Sequence, residues 1–443
     1  MNKIRHIAWV LAGVMALCNA AEAQNGFNMP FSQFGIGSSD LPYSLPSAYG
    51  MGGTVYSRAL RNSINPFNPA SYSAVEMESF VFDIGVNIQQ CALRQGNNSL
   101  ADADGNLAYI MVAFPLTKWW KTSAGMLPYS TVNYESVHTE FNSQLQGDVK
   151  TIYAGNGGVT QLYWGNGISI GKRLSLGFNL NYLYGNIERA ITYDFPGNDS
   201  TFLVNSRRQK ETMVNNLVID LGLQYIQPLG EKYTLHFGAT CRLPRKMSLE
   251  DQSLVYTFCR NGAVEYLFDT IFPLQGVDDT YQSSLEQPLA IGAGLALERN
   301  ERWEIDLDGY YSPYSGMKYT ENMSRNIFGA SALTYCDNYR IALGGEWKGD
   351  AGAASYWRRI SYRAGLYCNH GRLALNVDNE NYVLNEYGGG ASMVLPMRKG
   401  RSSLTFSIGY SSFGNIDLLR RDTFTFGLSM GSCEKWFTKR KYN

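Results

Sequence analysis

The sequence of 443 residues contains 38 basic and 38 acidic side chains, so its formal net charge is zero. A nucleic-acid-binding protein would show a basic face or stripe, which this charge balance does not suggest. Aromatic residues reach 13% and charged residues only 17% of a chain with 45 glycines, a balance typical of strands that alternate between lipid and a polar lumen. A secreted soluble β-sandwich is the competing fold class, although a soluble chain of this length would normally show domain breaks.

Residues 1–23 have the pattern of a secretory signal peptide. Lys3 and Arg5 give a basic start, an apolar run follows from Ile7, and Ala21-Glu22-Ala23 matches an A-x-A cleavage site. The apolar run is too short to span a bilayer as a helix. We therefore expect export and cleavage after Ala23.

Residues 24–79 are rich in Gly, Pro, Ser and Asn and lack the regular alternation of a strand. From Phe80 onward, apolar residues recur at every second position, as in Thr423–Met430, where every even residue is apolar. This period of two places one set of side chains on each face of a sheet. We predict strands at about 80–93, 105–116, 119–137, 155–170, 174–190, 210–228, 231–250, 285–298, 301–315, 335–349, 357–372, 382–397, 401–413 and 422–437.

About fourteen strands with alternating short and long connections predict an all-β fold, a transmembrane antiparallel β-barrel over residues 80–437. A sheet in lipid must close on itself, because lipid cannot satisfy the polar groups of a free edge. The short turns would face the periplasm, and long loops near 138–154, 191–209, 251–284 and 316–334 would face outward. Residues 438–443 would form a basic periplasmic tail.

Two short motifs precede the first strand: Ala48-Tyr49-Gly50-Met51-Gly52-Gly53 and Asn68-Pro69-Ala70. With their position and the strand count, they resemble the FadL/TodX family of outer-membrane transport proteins for hydrophobic compounds. The resemblance implies an N-terminal plug inside fourteen strands. Related barrels with the same start include outer-membrane components of a secretion system, and the motifs do not separate the two.

The residues of these motifs suit a plug. Gly50, Gly52 and Gly53 permit backbone conformations that are closed to other residues. Pro69 fixes its own backbone, and Asn68 can bond to the backbone ahead of it, so that Asn68-Pro69-Ala70 favours a tight turn. The alternative is that residues 24–79 form only a periplasmic tail.

The third strand contains Gly125 and Pro128 in its interior. Proline cannot donate to the hydrogen-bond ladder, so this pair predicts a kink or bulge. In the FadL/TodX-like family the third strand is kinked and opens the wall sideways. The resemblance therefore implies lateral release of an apolar ligand here, and a bulge without a transport role is the alternative.

The predicted inner faces carry charged residues. Glu304, Asp306 and Asp308 alternate with apolar residues, and with Asp220 they could meet Arg242, Arg245 and Lys246 across the lumen. We interpret this set as a polar network that holds the plug, because barrel interiors are polar by default. A cation-selective lining is the alternative.

The expected function is diffusion of small hydrophobic molecules, fatty-acid-like or aromatic, through the outer membrane of a Gram-negative bacterium. A cluster of apolar and aromatic residues in the longest external loop could capture the ligand: Phe258, Tyr266, Phe268, Ile271 and Phe272. The expected partners are outer-membrane lipid and the small ligand. Exported proteins are the partners in the alternative reading as a secretion component, and a general porin is the third reading.

No enzymatic function is expected, and neither a cofactor nor a metal. After residue 23 the histidines are His138, His236 and His370, and no G-x-S-x-G, H-E-x-x-H or P-loop motif occurs. The remaining cysteines show no C-x-x-C spacing, so neither a zinc nor a redox site is indicated.

Overall fold

The computed structural model describes residues 28–38, 45–60, 63–195, 204–261, 264–272, 280–300, 302–320, 333–377, 380–397, 402–415 and 418–435. The predicted signal peptide, the end of the predicted barrel domain at 436–437 and the predicted basic tail at 438–443 lie outside these ranges. Within them, no helix has both the length and the apolar character needed to cross a bilayer.

Strands make up most of the described chain, and short helical segments precede the first of them at Pro30–Gln33, Pro46–Tyr49 and Pro69–Ala74. The strands are β1 (Ser79–Gln95), β2 (Asn98–Pro115), β3 (Trp120–Thr131), β4 (Tyr134–Asn142), β5 (Gly147–Ile170), β6 (Leu174–Asp194), β7 (Asn205–Leu229), β8 (Tyr233–Arg242), β9 (Arg245–Asn261), β10 (Val264–Phe272), β11 (Thr280–Gln287), β12 (Ala290–Arg299), β13 (Trp303–Ser312), β14 (Tyr319–Thr320), β15 (Leu333–Tyr335), β16 (Asn338–Trp347), β17 (Ser361–His370), β18 (Leu373–Val377), β19 (Glu380–Val383), β20 (Asn385–Pro396), β21 (Ser402–Gly414) and β22 (Arg420–Lys435).

The wall is a closed antiparallel barrel. β1 pairs with β22 from Ser79 opposite Lys435 to Arg94 opposite Arg420, which joins the first strand to the last. Some consecutive strands, such as β3 and β4, are two parts of one wall segment, and the wall has fourteen segments in all. The predicted all-β barrel of about fourteen strands is confirmed.

Two prolines explain why two neighbouring wall segments are divided. Pro244 separates β8 from β9, and Pro288 separates β11 from β12. The two breaks lie side by side in the sheet, because Arg245, the first residue of β9, is paired with Gln287, the last residue of β11. Proline has no N–H group for the ladder, so pairing stops at these positions and resumes after them.

The alternation of side chains follows the predicted faces. On β13, Ile305 and Leu307 are about half exposed on the outer surface, whereas Glu304, Asp306 and Asp308 are buried on the inner one. The outward set meets lipid, and the inward set requires polar partners. The sequence pattern therefore describes a barrel with an apolar outside and a polar inside.

Several predicted external loops are strands. The region 138–154 contains the end of β4 and the start of β5, and the region 251–284 contains most of β9 and all of β10. β5 has 24 residues and β7 has 25, well beyond the 9–11 residues needed to cross a bilayer. Outside the membrane both faces of a hairpin are wet, so these extensions lack the alternation on which the prediction depended.

A separate three-stranded sheet of β15, β18 and β19, here called the outer sheet, lies at the end of the barrel opposite the short turns. Leu373 and Leu384 at its border are buried against Phe31 from the N-terminal region. The outer sheet therefore connects the N-terminal residues to the external side of the wall.

Candidate functional site

Residues 45–60 and 63–75, here called the luminal segment, contact the inner surface of opposite sides of the wall. A Cβ atom added to Gly177 on β6 would lie 2.3 Å from the Pro69 carbonyl carbon. One added to Gly365 on β17 would lie 2.3 Å from the Met51 carbonyl carbon. A segment that touches both walls so closely lies inside the lumen, and its action as a plug stays a prediction.

The predicted glycine motif makes close approaches to the wall. Gly52 and Gly53 have φ values of +61° and +75°, a region that other residues rarely adopt. Arg340 of β16 donates to the carbonyl oxygens of Gly52 and Gly53 at 2.6 and 3.2 Å. A Cβ atom added to Gly50 would overlap the Ser392 side chain of β20. The lack of a side chain at these glycines therefore allows the backbone to pack against the wall.

The Asn68-Pro69-Ala70 turn is held by the Asn68 side chain. Its Oδ1 atom accepts the backbone N–H of Ala70 at 3.1 Å, and its Nδ2 atom donates to the Tyr56 and Leu223 carbonyl oxygens. Asn68 is fully buried, and Pro69 begins a short 3₁₀ helix that ends at Ala74. One side chain thus fixes the turn and joins it to the wall strand β7.

A gap in the wall separates most of β2 from β3. The two strands are paired only from Ile110 opposite Met126 to Pro115 opposite Lys121. Beyond Met126, β3 continues with β5 alone, and the register of that pairing shifts between Pro128 and Ser130. The predicted irregularity near Gly125 and Pro128 is therefore present, although its role in transport stays a prediction.

Residues 28–38, here called the edge segment, bond to the backbone that β2 leaves unpaired. Ser38 and Thr131 exchange two backbone hydrogen bonds of 3.0 and 2.9 Å. The Met29 N–H donates to the Asn133 carbonyl oxygen at 2.7 Å, and the Asn28 side chain bonds to both backbone groups of Glu135. Three alternate residues of the free edge thus have partners from the chain's own N-terminal region.

Two arginines donate hydrogen bonds to carbonyl oxygens of the edge segment. Arg189 of β6 donates to the carbonyl oxygens of Gln33 and Gly35 at 3.1 and 2.6 Å. Arg372, which directly precedes β18 of the outer sheet, donates to the Gly37 carbonyl oxygen at 2.8 Å. The segment is therefore fixed to the wall and to the outer sheet together.

A luminal cavity of about 170 Å³ lies where the edge segment, the luminal segment and the wall meet. Phe31 and Ser38 come from the edge segment, and Tyr56 and Phe67 come from the luminal segment. Tyr129 comes from β3, directly beside the gap. A small molecule in this cavity would therefore touch the residues that cover the gap.

The acidic row on β13 is paired mainly with the luminal segment. Arg58 lies 2.6 Å from Glu346, 3.3 Å from Asp306 and 3.7 Å from Glu304, all between side-chain N and O atoms. Lys348 bonds to Glu304 at 2.6 Å. These contacts fix the luminal segment to β13 and β16 by charge.

The remaining members of the predicted polar network are found in separate contacts. Asp308 accepts the backbone N–H groups of Val55 and Tyr56 at 2.6 and 2.9 Å. Asp220 and Arg242 face each other on β7 and β8 and form two bonds of 2.6 and 2.8 Å.

The prediction that Arg245 and Lys246 meet the acidic row is wrong, because both are exposed beyond the break at Pro244. Arg58 was missed, and so were Glu346 and Lys348. The signal for Arg58 was present in the sequence: within residues 45–75 the charged residues are Arg58 and Arg61, both basic.

The predicted external capture cluster is only partly assembled. Tyr266, Phe268 and Ile271 are more than half exposed on β10, not on a loop. Phe258 is 1% exposed on β9, where the Arg207 guanidinium covers its ring at 5.0 Å. Phe258 is therefore a packed residue and cannot capture a ligand, whereas the side chain of Phe272 lies outside the described part of the structure.

The close contact at Gly177 predicts a large effect of a single methyl group. Gly177→Ala should lower the free energy of unfolding by roughly 1–3 kcal/mol, because the new Cβ must displace the Pro69 backbone. Gly309→Ala is the matched control, since no atom lies within 4 Å of its added Cβ. Denaturant unfolding of the two variants measures the difference, and equal midpoints would refute tight packing of the luminal segment.

Solved structures of known proteins share the barrel fold of this chain. The structure resembles the CymD monoaromatic hydrocarbon channel with a TM-score of 0.53 and 14% identity, covering 89% of this chain and 98% of that one. It resembles the Ralstonia pickettii toluene transporter TbuX with a TM-score of 0.54 and 12% identity, covering 91% and 99%. For the P. putida toluene transporter TodX, the TM-score is 0.55 and the identity 14%, with 88% and 98% covered.

At such low identity these structures show a shared fold, that of outer-membrane β-barrels of Gram-negative bacteria. No curated protein matches the sequence. A sequence profile of the BamG family matches residues 3–443. The chain therefore belongs to the BamG family.

Proposed function

We propose that this barrel is a channel that carries small hydrophobic molecules across the outer membrane and releases them sideways between β2 and β3. The observation that carries the proposal is the position of the aromatic-lined cavity directly behind the wall gap. Tyr129, Phe31 and Ser38 line the cavity, and Ser38 also covers the free edge of β3. Withdrawal of the edge segment would thus join the cavity to the bilayer.

The shape of the lumen favours this sideways route. The luminal segment is bonded to the wall by charged pairs and by carbonyl contacts, so passage along the barrel axis would require these contacts to break. The edge segment is shorter and contains no charged residue, so no ion pair joins it to the wall. It is held by backbone hydrogen bonds, by side-chain bonds of Asn28 and Ser130, and by bonds from Arg189 and Arg372 to its carbonyl oxygens, each with a modest net contribution to stability. Movement of the edge segment is therefore the less costly opening.

The solved structures with the same fold support the choice of ligand class. They include channels whose names refer to monoaromatic hydrocarbons and to toluene. An apolar cavity of about 150 Å³ can hold one benzene molecule, so a space of about 170 Å³ fits a single ring. The exposed side chains of Tyr266, Phe268 and Ile271 would offer the first apolar contact outside the membrane.

A proline substitution tests the sideways route. In Pro128→Ala the new N–H points to the β2 side, because Trp119 bonds to β5 and the even-numbered residues from Trp120 onward face β2. It can extend the β2–β3 ladder beyond Met126, which should narrow the gap. We expect the initial rate of radiolabelled toluene uptake to fall severalfold in Gram-negative cells expressing the full chain. Pro115→Ala at the opposite end of β2 is the control. Uptake by Pro128→Ala equal to that of the unsubstituted chain would contradict lateral release.

A second candidate function is the docking of exported proteins on the external hairpin of β9 and β10. The supporting observation is that Tyr266, Leu267 and Phe268 are 57%, 67% and 61% exposed. Replacement of the three residues by Ser would abolish capture of an exported protein in a pull-down, while toluene uptake would persist. A general porin, the third reading, would show a large single-channel conductance without any substitution.

A further inference from the structure

The luminal cavity is lined by several charged residues. Its lining includes the guanidinium groups of Arg242, Arg340 and Arg372 and the carboxylates of Asp220 and Glu386. Arg242 and Asp220 neutralise each other through two short bonds. Asp308, which accepts the Tyr56 N–H directly behind the lining, interacts electrostatically with Arg340, so Arg372 is the arginine of the lining whose partners remain to be identified.

Arg372 is the cation of this lining for which the described residues provide no ionic partner. It donates to the Gly37 carbonyl oxygen at 2.8 Å and lies over the Tyr314 ring at 5.6 Å. Among the residues that the structure describes, no aspartate or glutamate oxygen lies within 4.0 Å of its side-chain nitrogens. A charge removed from water is costly unless an opposite charge or several hydrogen bonds compensate for it.

The surroundings of Arg372 offer an aromatic ring a place to bind. Tyr129, Tyr310 and Tyr314 line the same cavity, as do Phe31 and Phe413. Aromatic rings favour edge-to-face or offset contacts with one another, which a bound ring could extend. A guanidinium presents paired N–H groups that match the two oxygens of a carboxylate. The cavity thus combines aromatic side chains with an arginine that has no carboxylate partner among the described residues.

We propose that the cavity binds a small aromatic carboxylate of the benzoate class, with its carboxylate on Arg372 and its ring against the tyrosines. This assignment rests on the proposed channel function and extends its ligand class to an aromatic ring that carries one negative charge. A volume of about 170 Å³ admits one ring with a short substituent and leaves no room for a long acyl chain. The positive charge of Arg372 matches the single negative charge of a carboxylate.

Equilibrium dialysis of the purified full chain in detergent at neutral pH tests the assignment with radiolabelled benzoate and toluene as probes. We expect benzoate to bind at least tenfold more tightly than toluene. Arg372→Gln should remove this preference, because it lowers the affinity for benzoate far more than the affinity for toluene. Arg372→Lys should retain part of the preference, because it keeps the charge. Arg173→Gln, at an exposed turn, should leave both affinities unchanged.

The outcomes separate this inference from the channel function. If toluene binds and benzoate does not, or if Arg372→Gln leaves the preference intact, the carboxylate site is wrong and the channel proposal stands. If neither probe binds the full chain, both proposals are wrong. Toluene binding in Arg372→Gln also reports whether the cavity survives the loss of the Gly37 contact.

Discussion

The double substitution Ser38→Cys and Thr131→Cys is expected to stop toluene uptake under oxidising conditions and to restore it on reduction. Ser38 and Thr131 face each other through two backbone hydrogen bonds across the gap. Opposite residues in such a pair have Cα atoms about 5.5 Å apart. This separation lies within the range that a disulfide spans.

The expected effect is large because a covalent bond prevents the edge segment from moving. A disulfide at this position fixes the edge segment to β3, and a route that depends on withdrawal of that segment then closes completely. We expect the initial uptake rate to fall at least tenfold, to the level of cells without the chain. The six cysteines of the described chain should first be replaced by Ala, so that the new pair is the only one that can form.

The matched control is a disulfide that does not cross the gap. Ser169→Cys and Ser175→Cys face each other on β5 and β6, next to a short turn. This bond should leave uptake unchanged in either redox state. Full uptake with the bond between residues 38 and 131 intact would show that the ligand leaves by another route, and the proposed lateral opening would have to be abandoned.

Arg58→Ala is expected to release the luminal segment and to convert a poorly conducting barrel into an open one. The substitution leaves Glu304, Asp306 and Glu346 close together without their shared cation. Removal of one partner from a buried charged cluster typically costs about 3–5 kcal/mol. The substitution therefore weakens the contact that joins the luminal segment to β13 and β16.

Single-channel conductance in a planar bilayer measures this effect directly, and we expect a rise of at least tenfold. Limited proteolysis should at the same time cut within residues 45–75, which the intact barrel protects. Arg173→Ala is the control, because Arg173 is exposed and its side chain bonds only to Gln227 among the described residues. A stable, protease-resistant Arg58→Ala barrel with unchanged conductance would mean that the luminal segment does not act as a plug.

The wall of the barrel was predictable because its signal is local. Each strand in the membrane has lipid on one face and the lumen on the other, so apolar and polar residues must alternate along it. Ile305 and Leu307 beside Glu304 and Asp306 carry this information within a few residues. The same argument explains the failure at β10 and at the ends of β4 and β9, where water covers both faces and no alternation is required.

The site was predictable only in part, because its contacts join residues that are far apart in the chain. The sequence by itself determined the fourteen wall segments, the inward acidic row, the glycine and Asn-Pro-Ala motifs, and the irregularity near Pro128. Only the tertiary structure decided that Arg58 meets Glu346 across 288 residues, that Ser38 pairs with Thr131, and that Arg372 lies in the cavity with no carboxylate partner in the described part of the chain. Alternation depends on the solvent that each face meets, whereas these pairings depend on how the closed barrel brings distant residues together.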